Sequence, residues 1–124
     1  MQSRSYPKLE GKRILVVEDD VVLAVDYYFQ LRQVGAQPEA YEPTAKAAVD
    51  YLATHRVDAA IVDYELRDGP CDAVLSSLRC GNIPFVIVSG HTHRMQDLAG
   101  NGATCLSKPV APTELWCALS QLLN

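Results

Sequence analysis

The residues best suited to chemistry in this chain directly follow short apolar runs. Glu18 and Asp19 follow I-L-V-V, and Asp63 follows A-A-I-V. Ser89 follows F-V-I-V, and Lys108 follows C-L-S. Crowded carboxylates repel one another, so they coexist as anions only beside a cation. A cluster of acids with a hydroxyl group and an ammonium group therefore predicts a site that binds a cation and a phosphoryl group.

The cofactor that such a cluster favours is a hard divalent cation with oxygen ligands, Mg²⁺ or Mn²⁺. An oxygen of Asp63 is then the candidate nucleophile, which attacks phosphorus and forms an aspartyl phosphate. The cation and Lys108 are expected to neutralise the phosphoryl oxygens, and Ser89 to donate a hydrogen bond to one of them. Taken singly, Ser89 also fits a turn and Lys108 a solvated surface charge, but neither interpretation explains Asp63.

The elements that must hold these residues repeat along the chain. Five short runs, several rich in β-branched residues, alternate with longer segments of helical periodicity, which is typical of βα units around a parallel sheet. Ligands of such sheets bind at the carboxyl ends of the strands, where the polar residues stand. The chain is therefore predicted to be one α/β unit of (βα)₅ type, with strands at 14–17, 37–41, 59–62, 85–88 and 103–106.

Helices are predicted between these strands. Ala24, Tyr28 and Leu31 repeat at i, i+4 and i+7, which predicts the inward face of a first helix that ends at Gly35. Asp20, directly before it, is expected to cap that helix. The other predicted helices lie at about 45–55, 71–79 and 94–99, and a last one begins at Pro112.

Composition sets the broad class. The 124 residues, 48% hydrophobic and 21% charged, are typical of one globular domain. Eleven basic against 15 acidic residues give a net charge of −4, which disfavours nucleic acid as a direct partner. With no leader and no apolar run near the roughly 20 residues of a membrane span, we expect a cytoplasmic protein without membrane contact. The four cysteines form no C-x-x-C pair, so reduced, mostly buried thiols are expected.

Other functions on the same architecture require motifs that differ from those of this chain. G-x-G-x-x-G is absent after the first strand, and a Walker P-loop is absent altogether. A phosphatase of the haloacid dehalogenase type needs a second Asp two residues after Asp63, where Glu65 stands. His91 and His93 lack a third ligand at metal-binding spacing, so a loop pair without metal is favoured. A metal-dependent phosphatase acting on small molecules stays open as a distant alternative.

The motifs I-L-V-V-E-D-D, I-V-D-Y-E-L-R-D-G, F-V-I-V-S-G and L-S-K-P together resemble the receiver domain of bacterial two-component response regulators. The resemblance implies residues 12–124 as a receiver domain after an N-terminal extension, 1–11. It also implies a flavodoxin-like, doubly wound sheet of five parallel strands in the order 2-1-3-4-5.

Carried over residue by residue, the resemblance implies Asp63 as phosphoacceptor, Asp19 as direct metal ligand and Glu18 as ligand through water. The backbone carbonyl of Glu65 becomes a further metal ligand. Ser89 matches the switch hydroxyl, Lys108 the phosphate-contacting lysine, and Pro109 the residue whose preceding peptide is usually cis. The side chains of Glu65 and His91 stand where the family tunes phosphoryl lifetime.

Three positions depart from the family pattern. Cys105 replaces the aromatic switch residue, so its usual swing behind the hydroxyl is absent. Gly90 stands where Ala is common, which is expected to leave the pocket mouth more open. The usual proline of the loop after Asp63 is missing. The F-V-I-V-S-G stretch and the missing aromatic also resemble stand-alone alphaproteobacterial receivers, although Ser-Gly replaces their Thr-Gly.

The expected function is a stand-alone receiver that takes a phosphoryl group from a histidine kinase or phosphotransfer protein and loses it by hydrolysis. This is a switch with self-catalysed chemistry rather than an enzyme for an external substrate. Its output is expected through protein contacts or a phosphorelay, and a second copy, in a homodimer, is a further candidate partner. Val22, Leu23 and Tyr27 are a candidate docking surface for the kinase. The alternative is a receiver-like interaction module that works without phosphorylation.

Overall fold

A computed structural model describes residues 6–90 and 103–123 of the chain. The strands are β1 (Arg13–Val17), β2 (Gln37–Glu42), β3 (Ala59–Asp63), β4 (Glu65–Leu66), β5 (Gly69–Pro70), β6 (Phe85–Ser89) and β7 (Thr104–Ser107). A 3₁₀ turn at Pro7–Leu9 precedes the helices α1 (Val21–Gln33), α2 (Ala45–Thr54), α3 (Asp72–Cys80) and α4 (Pro112–Leu122). The helix predicted at 94–99 and the His91–His93 pair lie outside the described residues.

Five strands form one parallel sheet in the order β2-β1-β3-β6-β7. With the small ribbon β4-β5 set aside, this is the predicted order 2-1-3-4-5, so the doubly wound α/β fold is confirmed. All five predicted strands are present within one or two residues of their predicted bounds.

Apart from a polar residue at one end of each, the central strands β1, β3 and β6 are apolar, because both faces of the sheet are covered. In β1, Ile14 and Val16 join the core beneath α1 and α4, whereas Leu15 and Val17 join the core beneath α2 and α3. Leu9, from the predicted N-terminal extension, is fully buried in the first of these cores. The 3₁₀ turn is therefore packed onto the α/β unit.

The inward face of helix α1 differs from its prediction at one position. Its buried side chains are Ala24, Tyr27 and Leu31, and Tyr28 is 41% exposed while Tyr27 is 3% exposed. Both tyrosines fit the spacing between Ala24 and Leu31, so the sequence alone does not separate them. The prediction of Tyr28 as a core residue was wrong, and so was that of Tyr27 as part of a docking surface. The predicted cap is confirmed, since Asp20 accepts hydrogen bonds from the first turn of α1.

The segment after β3 holds a structure that the sequence did not predict. β4 and β5 pair as an antiparallel ribbon, with Glu65 opposite Pro70 and Leu66 opposite Gly69. Gly69 has φ +125°, a conformation that L side chains rarely adopt. Leu66 is buried against α2 and α3, which anchors the ribbon to the core.

The cysteines are all free, as expected, but they are less buried than predicted. Cys71 is buried and Cys105 half-buried, whereas Cys80 and Cys117 are exposed. Burial raises the pKa of the Cys71 thiol to about 12, which keeps it protonated. Within residues 6–90 and 103–123, no helix combines the length and the apolar character needed to cross a membrane.

Candidate functional site

Three carboxylates meet at the carboxyl edge of the sheet, where β1 and β3 end. Glu18, Asp19 and Asp63 each place an oxygen within 4.8 Å of the other two. Glu18 and Asp63 are 1% and 5% exposed, and Asp19 is half-buried. Parallel pairing of β1 and β3 brings the two acidic segments side by side. The acid cluster predicted from the sequence is therefore present in the fold.

Lys108 projects into this cluster from the end of β7. Its Nζ lies 3.2 Å from Oε1 of Glu18 and 3.3 Å from Oδ2 of Asp63. Burial alone would lower the pKa of the Lys108 ammonium, but the carboxylates of Glu18 and Asp63 raise it above its ordinary value. The lysine is therefore charged and bridges the two acids.

Glu18 is held in an unfavourable environment for an anion. Burial, followed by the neighbouring Asp63 carboxyl, raises the pKa of Glu18 to about 8, although Lys108 opposes the shift. One oxygen, Oε2, accepts a hydrogen bond from the Asp20 amide at 3.2 Å. The other, Oε1, is fully buried beside Lys108 Nζ and has no hydrogen bond of good geometry within the described residues. A buried, poorly satisfied carboxylate oxygen is a group that gains from a cation.

The donor set fits a hard divalent cation on two observations. Three carboxylates share a space of less than 5 Å with one lysine to balance them, and Oε1 of Glu18 lacks a well-oriented donor. Oxygen ligands of this kind are those that Mg²⁺ prefers. The backbone of Glu65 adjoins the same cluster, because its amide donates to Oδ1 of Asp63 at 3.2 Å.

Ser89 ends β6, next to the strand that ends at Asp63. Val88 pairs with Asp63, and Ser89 itself is 1% exposed. The carbonyl of Ser89 accepts a hydrogen bond from the Lys108 amide at 2.9 Å, and the peptide between Lys108 and Pro109 is cis, as the resemblance implies. Ser89 and Lys108 are therefore neighbours at one edge.

The remaining predicted residues surround the cluster or fall outside the description. Glu65 is exposed, and a Cβ placed on Gly90 would meet no atom of residues 6–90 and 103–123 within 4 Å. The open pocket mouth stays a prediction, because the residues that follow Gly90 lie outside the described part of the chain. Cys105 is half-buried in β7 beside the core under α2 and α3. His91 lies outside the described residues, so its role stays a prediction.

Two features near the site were missed by sequence reasoning. Tyr27 is buried, and its burial together with the charges of Glu18 and Asp63 raises the pKa of its phenol above the ordinary value. Asp68 accepts hydrogen bonds from the amides of Ala45 and Lys46 at the start of α2, at 2.9 and 3.2 Å. The D-G pair at Asp68 and Gly69 signalled a turn, but nothing local indicated its distant partners.

Neither the protein-family models nor the curated proteins contain a match to this chain. Solved structures do match it. The solution structure of the receiver domain of the response regulator PhyR from Erythrobacter litoralis aligns with a TM-score of 0.79 at 20% identity, over 91% of this chain and 90% of that one. A CheY-like receiver domain protein from Methanospirillum hungatei JF-1 aligns with the same TM-score and identity, over 90% and 93%.

The response regulator PhyR from Brucella abortus aligns with a TM-score of 0.80 at 23% identity. The alignment covers 91% of this chain and 48% of that one, so the present chain corresponds to about half of that protein. At these identities the likeness shows the fold, which is that of response regulator receiver domains.

Proposed function

We propose that this chain is a receiver whose Asp63 accepts a phosphoryl group from a phosphohistidine donor in a reaction that requires Mg²⁺ or Mn²⁺. The observation that carries the proposal is the contact of Lys108 with both Glu18 and Asp63 inside a buried cluster of three carboxylates. A structural ion pair with Lys108 needs only one carboxylate. A pocket that holds a divalent cation beside a phosphoryl group needs the additional carboxylates, because they balance the positive charge of the cation.

In the proposed reaction, an oxygen of Asp63 attacks the phosphorus of the donor. A bond forms between this oxygen and phosphorus, the phosphorus–nitrogen bond of the phosphohistidine breaks, and the electron pair leaves with the imidazole, which a proton neutralises. Water later attacks the phosphorus of the acyl phosphate, which releases inorganic phosphate and regenerates the Asp63 carboxylate. The chain thus returns to its starting state.

The surrounding side chains have separate roles in this proposal. The Lys108 ammonium, now 3.3 Å from Asp63, would contact a phosphoryl oxygen and stabilise its charge. The Ser89 hydroxyl, at the end of the next strand, would donate a hydrogen bond to another of these oxygens. Ser89 is the last residue of β6 and Lys108 directly follows β7, so the sheet holds both in place before the donor arrives.

Asp19, Asp63 and the Glu65 carbonyl would hold the cation directly, and Glu18 would hold it through water. When bound, Mg²⁺ supplies positive charge that offsets the repulsion between the phosphoryl group and the carboxylates. The protein keeps Glu18 in place for this task through the Asp20 amide and the Lys108 ammonium.

The exposed apolar face of helix α1 favours a protein as the phosphoryl donor. It begins directly after the acidic pair, and its outer face exposes Val22 at 70% and Phe29 at 60%, with Val21 and Val25 beside them. Exposed apolar side chains grouped on one helix mark a surface for protein contact. We assign this face to docking of a histidine kinase or phosphotransfer protein. Val22 and the half-buried Leu23 remain in the docking surface, while Tyr27 is excluded by its burial.

The direct test is incubation with acetyl phosphate and Mg²⁺ followed by intact mass measurement. Wild-type protein is expected to gain the mass of one phosphoryl group, and Asp63→Asn to gain none. Asp20→Asn is the matched control, because Asn caps a helix as well as Asp does and Asp20 lies outside the proposed set. It should be phosphorylated like the wild type.

The opposite result would favour an interaction module that works without phosphorylation. If wild-type protein forms no adduct with acetyl phosphate or with a phosphorylated histidine kinase, the proposal is wrong. An adduct that persists in Asp63→Asn would move the phosphoacceptor to another residue.

A further inference from the structure

Asp68 makes a contact that links two parts of the chain far apart in sequence. Its Oδ1 accepts a hydrogen bond from the Ala45 amide at 2.9 Å, and its Oδ2 accepts one from the Lys46 amide at 3.2 Å. These two backbone donors lower the pKa of Asp68, so the residue is charged at neutral pH. The carboxylate therefore sits at the positive end of α2.

Helix α2 already has a local cap. Thr44 accepts a hydrogen bond from the Ala47 amide at 3.1 Å, in the usual way of a residue that precedes a helix. Asp68 takes the two amides that Thr44 leaves, and it does so from the ribbon rather than from the helix's own approach. Of the two caps, only Asp68 also attaches the ribbon to α2.

The ribbon β4-β5 connects Asp68 to the acid cluster. Asp68 lies in the turn between β4 and β5, whose strands pair over only two residues each. The amide of Cys71 closes the ribbon by donating to the carbonyl of Tyr64 at 3.2 Å. Leu66 is buried beneath the turn. The two bonds of Asp68 to the amides of Ala45 and Lys46 therefore tie this turn to α2.

The other end of the ribbon is part of the proposed cation site. The amide of Glu65 donates to Oδ1 of Asp63 at 3.2 Å, and the carbonyl of Glu65 is a proposed ligand. A turn that moves away from α2 would displace Glu65, because only Leu66 and Arg67 separate it from Asp68.

We propose that Asp68 is a positioning residue for the cation site, which ties the ribbon to the N-terminus of α2 and thereby fixes the Glu65 backbone beside Asp63. This inference rests on the proposed function, since it concerns the same cation. Asp68 touches neither the cation nor the phosphoryl group, and it acts through the ribbon.

The test measures Mg²⁺ affinity by isothermal titration calorimetry on the whole chain, at a temperature where each variant is folded. Asp68→Ala is expected to raise the Kd for Mg²⁺ about tenfold, at the lower end of the effects known for residues that orient metal ligands. The Kd of Asp68→Asn should lie between those of the wild type and Asp68→Ala, because an amide offers one acceptor oxygen where the carboxylate offers two. Thr44→Ala is the matched control, since it removes the local cap and should leave the Kd unchanged.

A second measurement needs no metal. Hydrogen exchange at the Glu65 amide, followed by NMR, should be faster in Asp68→Ala and unchanged in Thr44→Ala. A Kd in Asp68→Ala within twofold of the wild type overturns the inference, and so does an equal loss of affinity in Thr44→Ala. Wild-type protein that binds no Mg²⁺ would instead overturn the proposed function, and this inference with it.

Discussion

Charged groups at the two ends of the sheet differ in environment although their distances are similar. At the amino end, Arg13 contacts Glu39 at 2.9 Å with side chains 42% and 24% exposed. At the carboxyl end, Lys108 contacts Glu18 at 3.2 Å with side chains 23% and 1% exposed. The first pair joins one positive and one negative charge and is partly exposed to water, whereas the second is buried within a cluster of three acids.

The electrostatic cost of the fold lies at the carboxyl end of the sheet. An ion pair in contact with water contributes little to the free energy of folding, because water screens both charges. A buried surplus of carboxylates costs free energy unless a further positive charge arrives. The carboxyl end therefore fits the proposed cation site, whereas the amino-end pair is a surface contact.

The largest effect is expected from Lys108→Ala. Loss of the ammonium that is proposed to stabilise the phosphoryl oxygens should slow phosphorylation by acetyl phosphate about a hundredfold. Intact mass spectrometry over time measures the rate. Lys108→Arg, which keeps the charge, should recover part of it. An alanine variant that reacts as fast as the wild type would contradict the role of this lysine.

The second effect concerns Mg²⁺. At a concentration about ten times its Kd, the cation should stabilise the wild-type fold by about 1.4 kcal/mol, because it binds the folded state alone. Urea unfolding with and without Mg²⁺, at ionic strength matched with NaCl, measures this gain. Asp19→Asn should lose it. Equal stabilisation of Asp19→Asn would argue against the acid cluster as the binding site.

The third effect is a gain of stability from removing a site residue. In EDTA at pH 7, Glu18→Gln should raise the free energy of unfolding by about 1 kcal/mol. At pH 7 the Glu18 carboxyl is ionised in the unfolded chain, whereas burial beside Asp63 raises its pKa to about 8 in the fold, so folding must add a proton to it. Glutamine carries no such penalty. Urea unfolding measures the change. A loss of stability instead would mean that the pair with Lys108 outweighs the crowding of the acids.

The smallest effect is expected at the opposite end of the sheet. Glu39→Gln should lower the free energy of unfolding by no more than about 0.5 kcal/mol, since the pair with Arg13 is screened by water. The same urea experiment serves as the reference for Glu18→Gln. A loss above about 2 kcal/mol would remove the contrast between the two ends.

Much of the fold was predictable because the buried parallel strands appear in the sequence as short apolar runs. The runs that end at Glu18, Asp63 and Ser89 each gave a strand and the residue at its carboxyl end. The choice of Tyr27 over Tyr28 as the buried residue of α1 was not predictable, since both fit the same spacing and packing on the sheet decides between them. Ribbon β4-β5 was missed because two residues per strand are too few to show periodicity.

The order of residues along the chain is enough to identify the chemical groups at the strand ends and, through the alternation of strands and helices, to place them at one edge. How those groups interact depends on the folded chain. It brings Lys108 against Glu18 and Asp63, buries Glu18 enough to raise its pKa to about 8, and ties Asp68 to α2. Periodicity records local backbone preference, whereas charge environment depends on atoms brought together from distant parts of the chain.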